Sequence, residues 1–326
     1  MEPRKFKQYL ERFSAQLGKL SQRQRAGMAA LLNRSLLQEK TAALIEAVGA
    51  VRCNCPHCHS AHLHRHGHAA GLQRYRCANC ARTFNALTGT PLARLRHRGK
   101  WLSFLDSMLA SNSVRRAAML AGVHKNTSFR WRHRFLTNTK SDRLWPLGGI
   151  TEADETYLLE SQKGSRHLDR PPRRRGRTAK RRGLSSELVC ILVARDRTGK
   201  TFDFVTGRAP LTRVQLRRCL APVIERDILL VTDAHPAYRA FSLEAGISHR
   251  SVNLSAGVRV AGALHVQNVN AYHSRFKEWL GRFHGVASRY LPNYLGWRWA
   301  IDGGRIGSPQ LLLRSALGYI PHLTVT

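Results

Sequence analysis

The stretch Ile150–Leu159, ITEADETYLL, decides the fold. Read with the two-residue period of a strand, it places Glu152, Asp154 and Thr156 on one face and Ala153, Glu155 and Tyr157 on the other. Three more strand patterns follow: ELVCILVARD at 187–196, TFDFVTG at 201–207 and DILLVTD at 227–233. The last is a continuous apolar run, typical of a strand buried on both faces, and it delivers Asp233 at its C-terminal end. Helical stretches near 212–224 and 268–284 fall around that fourth strand. From about residue 148 onward the chain therefore reads as an α/β domain.

Upstream the pattern changes twice. Leu10, Phe13, Leu17 and Leu20 recur at helical steps, so residues 1–50 read as a small helical module. Residues 51–90 are rich in Cys, His, Gly and Asn, poor material for a core without a metal staple. CPHC carries Cys55 and Cys58, and CANC carries Cys77 and Cys80, with 18 residues between the knuckles. Each knuckle can place two sulfurs on one tetrahedral ion, so the pattern predicts a zinc ribbon with one structural, non-catalytic ion. Cys53 and the histidines at 57, 59, 62, 64, 66 and 68 are alternative ligands, though the histidines read better as surface residues near a basic face. Arg74, Tyr75 and Arg76, on the strand entering the second knuckle, are placed to touch DNA. Cys190 and Cys219 stand alone in strand and helix patterns, which suits a reducing cytoplasm better than a disulfide framework.

Residues 100–140 return to helical periodicity, and SVRRAAMLAGVHKNTSFRWRHRFL (113–136) fits a helix-turn-helix. Ser113 caps the first helix, Ala117, Ala118 and Leu120 form its buried side, and Gly122 supplies the turn. Val123 then packs inward. The second helix, 126–136, presents Thr127, Ser128, Arg130, Arg132, His133 and Arg134 to DNA, and turns Phe129, Trp131 and Phe135 toward the core. Arg115, Arg116 and Lys125 add cations beside the turn. An ordinary helical hairpin with a solvated basic face is the bland alternative.

Charge agrees with a nucleic-acid partner. Lys and Arg number 54 against 20 Asp and Glu, a net of 54 − 20 = +34. That points to a polyanion. Ribosomal and membrane-surface proteins share such a balance, but a hydrophobic content of 43% also supports real cores. The N-terminus MEPRKFKQYLERF has no apolar signal region, and no run is long enough to span a membrane. Two strand aspartates in so basic a chain suggest more than turns or caps. Carboxylates on adjacent strands can bridge two divalent metals roughly 3.5–4 Å apart, as in-line phosphoryl transfer requires.

In HVQNVNAYHSRFK (265–277), Asn270 and Lys277 stand seven residues apart, nearly two helical turns, and share a face. The order of the cysteine knuckles, the helix pair, DETY, TDAHPAY and HVQNVNAYHSRFK resembles the bacterial insertion-sequence transposases of the ISXO type, over roughly residues 50–300. The resemblance implies an α+β multidomain chain: the N-terminal helical module, a zinc ribbon at 51–90, a DNA-binding helix-turn-helix at 100–140, and an RNase H-like catalytic domain with a mixed sheet at 148–315. It implies a catalytic set of Asp154, Asp233, Asn270 and Lys277, the D-D-N-K branch of the D-D-E class, with Asn270 standing 37 positions after Asp233 where a third acid is usual. Asp154, Asp233 and Asn270 would hold Mg²⁺ or Mn²⁺, two ions in all, and Lys277 would contact phosphate. Glu278, near the same face, is the alternative third acid. The partners implied are double-stranded element ends and target DNA, with copies assembling on DNA in a bacterial cytoplasm, associated with the nucleoid. A non-catalytic DNA-binding regulator on a degenerate nuclease fold, and a structure-specific nuclease or resolvase, are the competing functions.

Two segments complete the reading. KGSRHLDRPPRRRGRTAKRRG lies in a loop at 161–184, and from Lys163 to Arg182 it holds ten Lys or Arg against one Asp. Its prolines and glycines argue against regular structure, so it reads as a flexible DNA clamp that includes Arg173, Arg174, Arg175 and Arg177. YLPNYLGWRWAID (290–302) spaces aromatics as a helix does, mostly for the core, with Trp297 or Trp299 available to stack on an extruded base.

Overall fold

The computed structural model describes residues 2–51, 54–139, 143, 146–173, 178–252 and 264–318. They fall into two compact units, Met1–Gly89 with Ala93–Leu105, and Thr90–Leu92 with Asp106–Thr326.

The first unit opens with α1 (Pro3–Leu17) and α2 (Gln22–Ala50). A capping box starts α2: the Ser21 hydroxyl accepts from Gln24 N–H, and the Gln24 side chain accepts from Ser21 N–H. Three strands follow, β1 (Leu63–Ala69), β2 (Leu72–Cys77) and β3 (Thr83–Asn85), antiparallel in that order. Their apolar content is slight, and the sheet leans on α2: Glu46 accepts a hydrogen bond of 2.8 Å from Gln73 N–H. Gly49 lies so close to Ala86 that an added Cβ would sit 2.4 Å from it, which is why α2 ends on small residues. The division between the units falls within α3 (Trp101–Leu109).

The second unit begins with the short helices α4 (Val114–Leu120) and α5 (Lys125–Phe135). Ser113 caps α4, and Gly122 takes φ +59° in the turn, a conformation glycine adopts at little cost. Three long strands and two short ones then build a sheet: β4 (Ile150–Leu159), β5 (Leu188–Asp196), β6 (Thr201–Arg208), β7 (Leu229–Asp233) and β8 (Ser248–Val252). Their order is β6-β5-β4-β7-β8, antiparallel from β6 to β4 and parallel from β4 to β8. A tight turn joins β5 to β6, whereas residues 160–187 link β4 to β5. The parallel pairs need crossovers, which α6 (Arg213–Leu220) and α7 (Pro236–Ala245) supply. On their side, Ala153, Cys190, Leu192, Ala194 and Leu230 pack against Leu216, Leu220, Tyr238 and Phe241. Along the other face lies α8 (Gln267–Gly281), followed by α9 (Leu291–Asp302) and α10 (Pro309–Ala316).

The four strand patterns read from the sequence are all strands, whereas α7, β8 and α10 carry patterns too short to stand out alone. Four side chains also differ from expectation. Leu120 is 49% exposed, not part of the buried side of α4, and Phe129 is 37% exposed, packing edge-on against His133 and Tyr290. Trp297 and Trp299 are both buried, so neither is free to stack on a base.

Candidate active site

β4 and β7 pair in parallel as Ile150↔Leu229, Thr151↔Leu230 and Glu152↔Val231. Asp154 and Asp233 each stand two residues beyond the last of these pairs. The same register therefore brings both carboxylates side by side on one face of the sheet, where β7 ends. Asp233 also shapes the turn that follows, its Oδ1 accepting from His235 N–H at 3.1 Å.

Glu152 sets where α8 docks against this pair. Its buried carboxylate accepts from Asn268 N–H (2.9 Å), Val269 N–H (3.2 Å) and the Asn268 side-chain amide (2.7 Å). Val266, at the N-cap, offers no side-chain acceptor, so the strand supplies the cap that the helix lacks. Arg197 at 2.9 Å balances the charge. Two residues further along the strand is about 6.6 Å, and four residues along a helix is about 6 Å. Pinning Val269 at Glu152 thus carries His273 to Asp154, and its Nδ1 lies 3.9 Å from Asp154 Oδ2.

Electrostatics mark Asp154 as the strained member. Burial, with Glu155 and Asp233 beside it, pushes its carboxyl up to about 7, against a smaller opposing pull from Lys277. Glu155, on the other side of β4, is raised as well, mainly by burial, while a 2.6 Å hydrogen bond from the Tyr238 hydroxyl works the other way. Burial and Lys277 lower His273 to about 4, so its ring is neutral and its contact with Asp154 is not an ion pair. The structure thus gathers Asp154, Asp233 and Lys277. Asn270 shares the helix face of Lys277 by its spacing, but it is exposed, and among the described residues its side chain has no hydrogen-bond partner. Glu278 is exposed on the same helix. Glu152, Glu155, Tyr238 and His273 went unremarked as site residues in the sequence. For His273 the available signal was its place between Asn270 and Lys277 at helical spacing. A divalent cation fits this donor set, because two crowded carboxylates, one of them raised to about 7 by its surroundings, gain most from a positive charge.

The cysteine cluster is separate. Cys55, Cys58, Cys77 and Cys80 place their sulfurs within 4.8 Å of one another, so the four could hold one metal ion. Four thiolates in so tight a set suit zinc. The histidines at 57, 59, 62, 64, 66 and 68 are exposed, and Cys53 lies outside the described residues.

Of the side chains expected at DNA, Arg115, Arg116, Lys125, Arg130 and Arg134 are exposed and Thr127 is half-buried. Two are corrected. Ser128 is fully buried and donates to the Val114 carbonyl at 2.9 Å, joining α5 to α4. Arg132 is 0% exposed: it donates to the Asn112 carbonyl at 2.6 Å and to the Tyr294 hydroxyl at 3.3 Å, with the Phe283 and Trp297 rings each 5.3 Å away. Its guanidinium is a core group because α9 brings partners to it that its own helix does not have. Arg173 is engaged too, bridging Glu160 and Glu187. Arg174, Arg175 and Arg177 lie outside the described residues.

Among known proteins, residues 146–299 match the ISXO2-like transposase domain family. An uncharacterized protein in transposable element ISH50 of Halobacterium salinarum is 29% identical over 244 residues, covering 74% of this chain and 82% of that protein. Solved structures overlap weakly: a pre-cleavage Mos1 transpososome covers 61% of this chain and 78% of its own at 14% identity and a TM-score of 0.20. A Mos1 paired-end complex with the left transposon end gives 61%, 77%, 14% and 0.21. Superpositions that loose carry no argument about the fold or activity of this chain. The family match spans β4 through most of α9, the segment that holds both aspartates, Asn270 and Lys277, and it identifies residues 146–299 as an ISXO2-like transposase domain.

Proposed function

We propose that the chain is an insertion-sequence transposase that binds the ends of its element and cuts and joins DNA strands in a divalent-metal-dependent reaction, using an RNase H-like catalytic domain. One observation carries the reading: the β4–β7 register sets Asp154 beside Asp233 on one face, in surroundings that resist a second negative charge. The mixed sheet order, antiparallel then parallel about β4, supports the RNase H-like assignment. When bound, Mg²⁺ or Mn²⁺ supplies Lewis-acid charge to activate water or a 3′-hydroxyl and to stabilise the departing 3′ oxygen. Asp154 and Asp233 offer the oxygen ligands, with the Asn270 carbonyl as a third donor on the same helix face. Lys277, whose charge already acts on Asp154, positions a scissile phosphate. Tyr238 holds Glu155 on the far side of the strand, and Glu152 keeps α8 in register.

Around this centre, zinc in the four-cysteine set would hold the ribbon, and Arg115, Arg116, Lys125, Thr127, Arg130 and Arg134 would meet the terminal repeats. Copies would assemble on element ends and target duplex. Among the described residues no helix is long and apolar enough to cross a membrane. The exposed, uncharged Asn270 favours one competitor, a DNA-binding regulator without nuclease activity. Cleavage of a labelled element end in Mg²⁺ or Mn²⁺ separates the two. Asp154→Asn and Asp233→Asn should each lose all detectable cutting while binding DNA like the parent. Undiminished cutting by both variants would refute the metal-nuclease reading, and an inert parent would favour the regulator.

A further inference from the structure

α8 meets Asp154 with an imidazole. His273 is 6% exposed, its Nδ1 is 3.9 Å from Asp154 Oδ2, and its Nε2 is buried without a hydrogen-bond partner. The 3.9 Å separation is too long for a hydrogen bond. Two donors on one six-coordinate ion, with bonds of about 2.1 Å, lie about 3 Å apart when adjacent and about 4.2 Å apart when opposite. The observed spacing falls between these limits, so a small adjustment would let both groups bind one cation. Glu155, Asp233 and Lys277 are the charges that act on Asp154, and the neutral His273 ring is not one of them. Asn270, one turn earlier, is exposed.

We propose that His273 is a nitrogen ligand at the Asp154 metal position and that it tilts the site toward Mn²⁺ over Mg²⁺. The proposal rests on the metal-nuclease reading above. The chemistry follows from donor type. Mg²⁺ is a hard cation that takes oxygen ligands and keeps its waters, whereas first-row transition ions accept imidazole more readily. Where a third acid is usual, this site offers a neutral amide and a neutral ring. The loss of carboxylate charge weakens Mg²⁺ most, and the ring nitrogen restores affinity selectively for Mn²⁺. A ring that merely filled the core would contribute nothing to either ion.

The test uses the full chain with its cysteine site zinc-loaded, Mn²⁺ and Mg²⁺ as the probes, calorimetry for affinity and pulsed electron spin resonance for ¹⁴N coupled to bound Mn²⁺. The parent should show a ¹⁴N coupling and bind Mn²⁺ at least about tenfold more tightly than Mg²⁺. His273→Phe, which keeps the buried ring but removes both nitrogens, should lose the coupling and about tenfold in Mn²⁺ affinity, with Mg²⁺ affinity within about twofold of the parent. The parent spectrum needs no variant, so a poorly folding substitution does not spoil the test: bound Mn²⁺ without ¹⁴N coupling overturns the proposal. Unchanged Mn²⁺ affinity in a folded His273→Phe overturns it as well. Asp154→Asn separates the two layers. If it abolishes Mn²⁺ binding while His273→Phe does not, the nuclease reading survives and the ligand assignment falls. If Asp154→Asn binds Mn²⁺ like the parent, both fall.

Discussion

Asp154 pays for its position in stability. An unfolded aspartate titrates near 3.8, and this one is held up to about 7, chiefly by burial. Between those values the folded chain keeps a proton that the unfolded chain releases, so stability falls as pH rises through the window. Without divalent ions, the melting temperature of the parent should drop between about pH 4 and pH 7 relative to Asp154→Asn, which has no such proton to lose. The difference should approach about 2–4 kcal/mol above pH 7, taking about 1.4 kcal/mol per pKa unit as an upper scale. Parallel thermal melts of the two proteins across pH 4–8 would measure it. Parallel curves would mean that Asp154 is better solvated than its surroundings suggest. Arg132 teaches the complementary lesson at this scale, since a guanidinium 0% exposed between two aromatic rings serves packing and not recognition.

At the scale of elements, the three-stranded ribbon has the least apolar support. β1 exposes six of its seven residues, and β3 buries none of its three fully. With Cys55 and Cys77 buried beside the exposed Cys58 and half-buried Cys80, the thiolate set must hold what a core would otherwise hold. Cys77→Ser should release bound metal, about one zinc per chain in the parent. It should also lift amide-exchange protection from β1–β3 while the five-stranded sheet keeps its own. Retained protection in β1–β3 after metal loss would show that the ribbon stands on its packing against α2. The opposite case is α8, where one buried carboxylate from a neighbouring strand does the work of a cap and thereby sets which turn faces Asp154.

For the whole molecule, a formal charge of +34 predicts that the proposed DNA binding weakens steeply with salt. The basic loop at 163–182 does not offer all of its ten cations. Lys163 donates to the His284 and Gly285 carbonyls, Arg170 pairs with Glu160, and Arg173 bridges Glu160 and Glu187, leaving at most 10 − 3 = 7. At about 0.9 per neutralised phosphate, deleting 163–182 should lower the slope of log affinity against log salt by no more than about 6. Binding titrations from 50 to 300 mM salt on one duplex would give both slopes. An unchanged slope would make the loop a linker.

The sequence alone determined the parts whose periodicity is local. Alternation along ITEADETYLL and the apolar run before Asp233 need only the chain's own side chains to choose a strand, and the paired cysteine knuckles need only their spacing. Both aspartates were legible for that reason, as was the helix that carries Asn270 and Lys277. Tertiary structure decided whatever depended on distant partners. Arg132 reads as a DNA contact until Tyr294, 162 residues away, meets it in the interior. Glu152 is one more acid on a strand until Asn268, 116 residues on, presents an uncapped helix end to it. His273 joins the site only because that cap sets the register of α8 on β4. A periodic pattern specifies which face of an element is apolar, but the identity of the element that comes to lie against it is settled by the packing of the whole domain.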